Sequence, residues 1–223
     1  MDVLNLVEQV RLQVIKQPEK IAYHFMGKDT SYGEFEFQVG RFAYALQQMG
    51  VQKGDHVALL LANTPHYMIS LYATMRIGAV AIPINPIYTP DEISYIIRNG
   101  DVKVVIALDM LLPLVEAGVK MLPQVTNYIV CETTPDIGEK FKALSDEAKA
   151  KAKLFMQVLM SSPESAEPVV VGDDETAIIL YTSGTTGQPK GAMLTHKNLF
   201  SNARDIGDYL KMDDQDRVIA TLP

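Results

Sequence analysis

Runs of apolar, often β-branched residues without polar alternation recur along this chain: His56–Leu61, Val80–Ile84, Val102–Ala107, Asn127–Val130 and Ala177–Leu180. A strand with one wet face alternates apolar and polar residues, so unbroken runs of this kind belong to strands covered on both sides. Helical patterns fill the gaps between them. The expected fold class is therefore α/β: a mainly parallel sheet flanked by helices on both faces, with right-handed crossovers.

Periodicity and caps place the helices. Leu4, Val7, Val10, Val14 and Ile15 recur at helical spacing and stop before Pro18, which disfavours helix in the residue ahead of it. Ile21–Met26 reads as a strand, with Gly27-Lys28-Asp29 as its turn. Ser31 and Glu34 have capping-box spacing, and Phe35, Val39, Phe42, Ala43 and Leu46 make one face of a helix that ends at Gly50. Thr64-Pro65 opens a nearly all-apolar helix over Tyr67–Met75, a composition that requires burial. Thr89, Pro90 and Glu92 cap a helix over Asp91–Arg98, and another runs over Met110–Met121.

From Thr133 to Gly172 the composition changes. Phe141, Leu144, Ala148, Phe155 and Leu159 keep a helical period among Lys140, Lys142, Lys149, Lys151 and Lys153, which predicts one amphipathic helix before a linker over 161–168. A basic amphipathic helix can rest on an anionic bilayer. Glu139, Asp146 and Glu147 interrupt its basic side, however, so a solvated connector is the favoured reading and peripheral contact the most expected of a membrane. Thr195 then caps a helix over His196–Tyr209. The chain divides on this reading into an α/β subdomain (1–132), a connector (133–172) and the start of a second subdomain (173–223).

Composition excludes several classes of function. With 27 acidic against 20 basic side chains and a net charge of −7, no basic face is available to displace counterions, so nucleic acid is not an expected partner. The lone Cys131 rules out an internal disulfide and reads as a buried reduced thiol, which fits the cytoplasm. The first ten residues lack a basic n-region, and the longest apolar stretch, Val57–Ala62, is far too short to span a bilayer. His24, His56, His66 and His196 lack metal-ligand spacing, so structural roles and no metal site are expected. No acid pair can be assigned to general acid–base work, and no catalytic residue is assigned.

The chemistry concentrates where the last apolar run empties into Tyr181-Thr182-Ser183-Gly184-Thr185-Thr186-Gly187-Gln188-Pro189-Lys190-Gly191. Gly184 and Gly187 permit a tight backbone with N–H groups turned towards a ligand, and Ser183, Thr185 and Thr186 add neutral donors. Lys190 supplies charge, and Pro189 stiffens the exit. This is a phosphate-binding composition. It is not a Walker P-loop, because no Gly-Lys pair occurs and a second strand, not a helix, follows Lys190.

With Leu194-Thr195-His196 and Asn198, this stretch resembles the AMP-binding signature of the adenylate-forming superfamily. Gly54–Ala58, Gly78–Pro86 and Tyr88–Ile93 are similar to the same family, in wording nearest to bacterial fatty-acid–CoA ligases. The resemblance implies an enzyme that activates a carboxylic acid with ATP and Mg²⁺ as an acyl-adenylate, then transfers the acyl group to coenzyme A. It implies that Thr182, Ser183, Gly184, Thr185, Thr186, Gly187 and Lys190 hold the ATP phosphates. It leaves open an aryl-acid or amino-acid adenylating enzyme, or a non-catalytic nucleotide-binding protein of the same fold. It also implies that these residues form an amino-terminal fragment, with the magnesium and ribose ligands and the catalytic lysine beyond Pro223. Such a piece is expected to be inactive alone, to hold no bound cofactor, and to self-associate over apolar surface left uncovered.

Overall fold

The computed structural model describes residues 5–182 and 189–220. The chain opens with helix α1 (Leu6–Lys16), which is capped by Asn5: its Oδ1 accepts the Val7 N–H at 2.9 Å. Strands β1 (Ile21–Phe25) and β2 (Lys28–Ser31) form a separate antiparallel hairpin. Its turn is Met26-Gly27, with φ of 47° and 83°, not the expected Gly27-Lys28-Asp29. Two positive φ angles in a two-residue loop match the twist of the flanking strands, and this releases Lys28 and Asp29 into β2.

The remaining strands build one seven-stranded sheet. They are β3 (His56–Leu60), β4 (Val80–Pro83), β5 (Val102–Leu108), β6 (Asn127–Cys131), β7 (Ala152–Leu154), β8 (Thr176–Thr182) and β9 (Lys190–Thr195). Their order is β7-β6-β5-β3-β4-β8-β9. Every neighbouring pair is parallel except β8 with β9, so the expected α/β class with a mainly parallel sheet holds.

Residues along the central strands divide between two cores by parity. Val57, Leu59, Val104, Ile106, Ile129 and Cys131 face one layer, which contains α2 (Tyr32–Gln48), α3 (Pro65–Arg76) and α8 (Phe155–Ser161). Ala58, Leu60, Val105, Ala107, Tyr128 and Val130 face the other, against α4 (Pro90–Asn99), α5 (Leu112–Met121), α6 (Ile137–Lys142) and α7 (Asp146–Lys151). Both faces are dry, and that is why these runs carry no polar alternation. The capping boxes at Ser31/Glu34 and Thr89/Glu92 form as the sequence predicts. The expected helix over Met110–Met121 instead starts with a 3₁₀ turn over Asp109–Leu111, because Pro113 stands in the first turn of α5.

The segment after Thr133 departs most from expectation. In place of one amphipathic helix it forms α6, α7, β7 and α8. The Ser145 hydroxyl accepts the Ala148 N–H and starts a new helix, and Ala152–Leu154 then pairs with β6. Leu144 and Ala148 pack on one face of the sheet while Phe155 and Leu159 pack on the other. An apolar spacing that looks continuous in sequence thus serves two opposite layers. No helix among the described residues is long and apolar enough to cross a membrane.

The stretch expected to be a linker is a strap that returns the chain from the β7 edge to β8 across α2 and α3. Arg41 donates to the carbonyls of Met160 and Ser162, Arg76 to that of Ala166, and Lys53 to that of Val170. The Ala166 and Val169 N–H groups donate to the carbonyls of Gly40 and Arg76 at 3.0 and 2.8 Å. Gly40 makes this approach possible: a Cβ there would stand 1.8 Å from Ser165 Oγ and 3.0 Å from Ser165 Cβ. Gly40→Val is therefore expected to destabilise the protein by about 2 kcal/mol, since the clash outweighs the roughly 0.5 kcal/mol gained in helix propensity. Urea denaturation checks this, and adding Ser165→Gly should recover part of the loss.

Candidate functional site

The signature stretch begins at the end of β8 and finishes in β9, and the two strands pair antiparallel. In the antiparallel register Thr176 faces Thr195, Ile179 faces Met193, Tyr181 faces Gly191 and Thr182 faces Lys190. Thr182 and Lys190 thus leave the sheet side by side, both exposed. Ser183, Gly184, Thr185, Thr186 and Gly187 lie outside the described residues. Among the described residues no carboxylate stands within ion-pairing distance of Lys190.

Because β8 runs parallel to β4, its carboxyl end points the same way as those of β3, β4, β5 and β6. The loop after Thr182 therefore leaves from the carboxyl edge of a parallel sheet, the edge where open α/β sheets bind ligands. β8 itself is anchored through alternate residues. Ala177 packs with Val7 of α1 and Met75 of α3, whereas Ile179 and Tyr181 enter the core on the other face. Gly191 is required by space: a Cβ there would lie 2.7 Å from Ile179 Cγ2 and 3.1 Å from Tyr181 Cζ.

The downstream part of the signature is structural. Thr195 and Asn198 form a reciprocal capping box at the start of α9 (His196–Leu210), with Thr195 N donating to Asn198 Oδ1 at 3.0 Å. His196 is 2% exposed, and its Nδ1 has no hydrogen-bond partner among the described residues. Its backbone N–H donates to Glu175 O.

Two further polar groups lie on the carboxyl edge: Asp109, which sequence did not single out, and His66, for which a structural role was expected. Asp109, after β5, accepts the backbone and side-chain donors of Thr133 and Thr134, with both Thr134 contacts at 2.7–2.8 Å. Burial alone would raise its pKa, but these bonds outweigh that and hold it at about 2. His66, in the first turn of α3, sets its ring edge-on to Phe155 at 4.8 Å. No group of three His, Cys, Asp or Glu side chains gathers as a metal site among the described residues.

Burial lowers the pKa of both His66 and His196, only partly offset by Asp109 for the first and by Glu175 and Asp173 for the second. A histidine whose folded pKa is depressed binds its proton more readily when unfolded, so stability falls as pH drops below the unfolded value of about 6.5. Urea midpoints should decline between pH 7 and pH 5, with a slope of at most about 1.4 kcal/mol per pH unit for each histidine. His66→Gln with His196→Gln should flatten that slope. Asp109 acts in a separate window, losing its contribution only as pH falls from 3.8 towards 2.

The AMP-binding enzyme family matches residues 10–223. A long-chain-fatty-acid–CoA ligase of Bacillus subtilis (strain 168) is 32% identical over 201 residues, covering 83% of this chain and 35% of that protein. A 4-coumarate–CoA ligase of Arabidopsis thaliana is 29% identical over 207 residues, covering 88% of this chain and 33% of that protein. The solved anthranilate CoA ligase in complex with anthranoyl-AMP superposes with a TM-score of 0.74 at 26% identity, over 86% of this chain and 35% of that structure. The chain thus spans about a third of the length of these relatives. With the match running over nearly its whole length, the signature between β8 and β9 and the same parallel α/β sheet, the chain belongs to the AMP-binding enzyme family.

Proposed function

We propose that the whole protein is an ATP-dependent acid–CoA ligase whose substrate is a fatty acid. The observation that carries this reading is the placement of Thr182 and Lys190 side by side on the carboxyl edge of the sheet, at either end of a sequence rich in hydroxyls and glycines. The carboxylate oxygen of the substrate attacks the α-phosphorus of ATP, the bond to the β-phosphate oxygen breaks, and pyrophosphate leaves. The thiolate of coenzyme A then attacks the acyl carbon, and AMP departs with its oxygen.

In this scheme Thr182, Ser183, Thr185, Thr186 and the amides of Gly184 and Gly187 hold the β- and γ-phosphates, and Lys190 offsets the charge on the departing pyrophosphate. Each donor aimed where charge develops contributes about 3 kcal/mol to the rate. Mg²⁺ supplies further charge neutralisation when it accompanies ATP, but no side chain among the described residues is assigned to it. The fatty-acid preference is supported by the ligase from Bacillus. The coumarate and anthranilate ligases favour an aryl acid as the second reading. ATP–pyrophosphate exchange by the whole protein, run with fatty, aryl and amino acids, tests both: exchange with fatty acids is expected, and dependence on an amino acid alone would refute the proposal.

A further inference from the structure

We propose that Asn99 is a positioning residue: through the Tyr181 hydroxyl it holds the loop-bearing end of the β8–β9 hairpin at the angle that presents Thr182 and Lys190 to phosphate. The inference rests on the phosphate-binding reading of that loop and adds to it a residue outside the signature. β8 shares a single Cα register pair with β4, Ala81 with Ile178, and β9 is an edge strand whose first four residues are exposed. The far end of the hairpin is well tied. There Lys53 pairs with Glu175, and the His196 and Lys197 N–H groups donate to the carbonyls of Glu175 and Asp173.

At the loop end, among the described residues, the one side-chain hydrogen bond to the body of the protein is Tyr181 OH to Asn99 Oδ1, at 2.7 Å. Asn99 is the last residue of α4, so the contact ties the hairpin to a helix packed in the core. Two glycines shape the slot that the tyrosine fills. A Cβ at Gly191 would press on the ring at 3.1 Å from Cζ, and one at Gly100 would reach 3.4 Å from the hydroxyl while striking Ile82 Cδ1 at 2.7 Å. Gly100 is itself held, since His56 Nδ1 donates to its carbonyl. Strand β3 thus holds Gly100, the residue that follows the tyrosine's partner Asn99. Thr182 follows Tyr181 directly, and Gly191, opposite the ring, follows Lys190. A change in the tyrosine's seat therefore swings both phosphate-facing residues together.

Two readouts test this separately from the function. In the 223-residue chain, hydrogen exchange followed by NMR at Thr182, Lys190 and Gly191 should accelerate about fivefold in Asn99→Leu and in Tyr181→Phe, the effect of losing one hydrogen bond from a local opening. The double variant should add nothing further, and amides of β3 and β5 should stay unchanged. Asn99→Asp, which keeps the acceptor, should restore wild-type exchange. In the whole protein, Asn99→Leu should raise the KM for ATP in pyrophosphate exchange about fivefold, with Asn99→Asp again rescuing. Unchanged strand-end exchange in both single variants, or acceleration spread evenly over the sheet, would overturn the proposal. Absence of ATP-dependent exchange in the wild-type protein would sink the functional reading, while the amide data would still decide whether Asn99 holds the hairpin.

Discussion

Arg76→Ala is expected to lower the unfolding free energy by about 3 kcal/mol, read as a shift of the urea midpoint at unchanged slope. Arg76 closes α3 with 5% of its surface exposed, and two different elements depend on its guanidinium. One nitrogen pairs with Glu36 of α2, and Nε donates to Ala166 O at 2.6 Å on the strap. Truncation leaves a part-buried carboxylate and a buried carbonyl without their donor, and such orphaned groups cost more than the bonds themselves contribute. Lysine should not rescue, because a single ammonium on a flexible stem cannot reproduce the planar fork that serves both partners. The exposed pairs Lys140–Asp136 and Arg204–Asp205 provide the contrast, since their removal should change stability by less than about 0.5 kcal/mol.

Thr186→Val in the whole protein is expected to slow pyrophosphate exchange about a hundredfold while leaving the thermal midpoint within a degree or two of wild type, the signature of a lost transition-state donor. Valine keeps the shape of threonine and removes its hydroxyl. Thr186 belongs in sequence to the hydroxyl- and glycine-rich stretch between Thr182 and Lys190. Wild-type exchange in this variant would remove Thr186 from the phosphate-binding set. A fall in stability that matched the fall in rate would assign it a structural role.

Features of the fold are legible in the sequence where the interactions that determine them are local. Ser31 with Glu34, Thr89 with Glu92 and Thr195 with its helix were legible because a cap is decided within four residues. The buried strands were legible because two dry faces forbid polar alternation. The turn at Met26-Gly27 was displaced by one residue, since a non-glycine residue at positive φ gives little warning in sequence. His196, expected to be structural, is buried, and Asn198 of the signature is a helix cap.

By itself, then, the sequence determined the α/β class, the parallel sheet, most helix starts and membership of the AMP-binding family, because each of these is written in periodicity or in residue type over a short window. Only the tertiary structure decided that Leu144 and Phe155 pack on opposite faces of the sheet. It also decided that 162–171 is a pinned strap, that Asp109 gathers four donors from residues 24 and 25 positions away, and that Asn99 reaches Tyr181 across 82 residues. The physical reason is common to all four: hydrogen bonds and packing between residues distant in sequence depend on strand order, and strand order leaves no periodic trace in the chain.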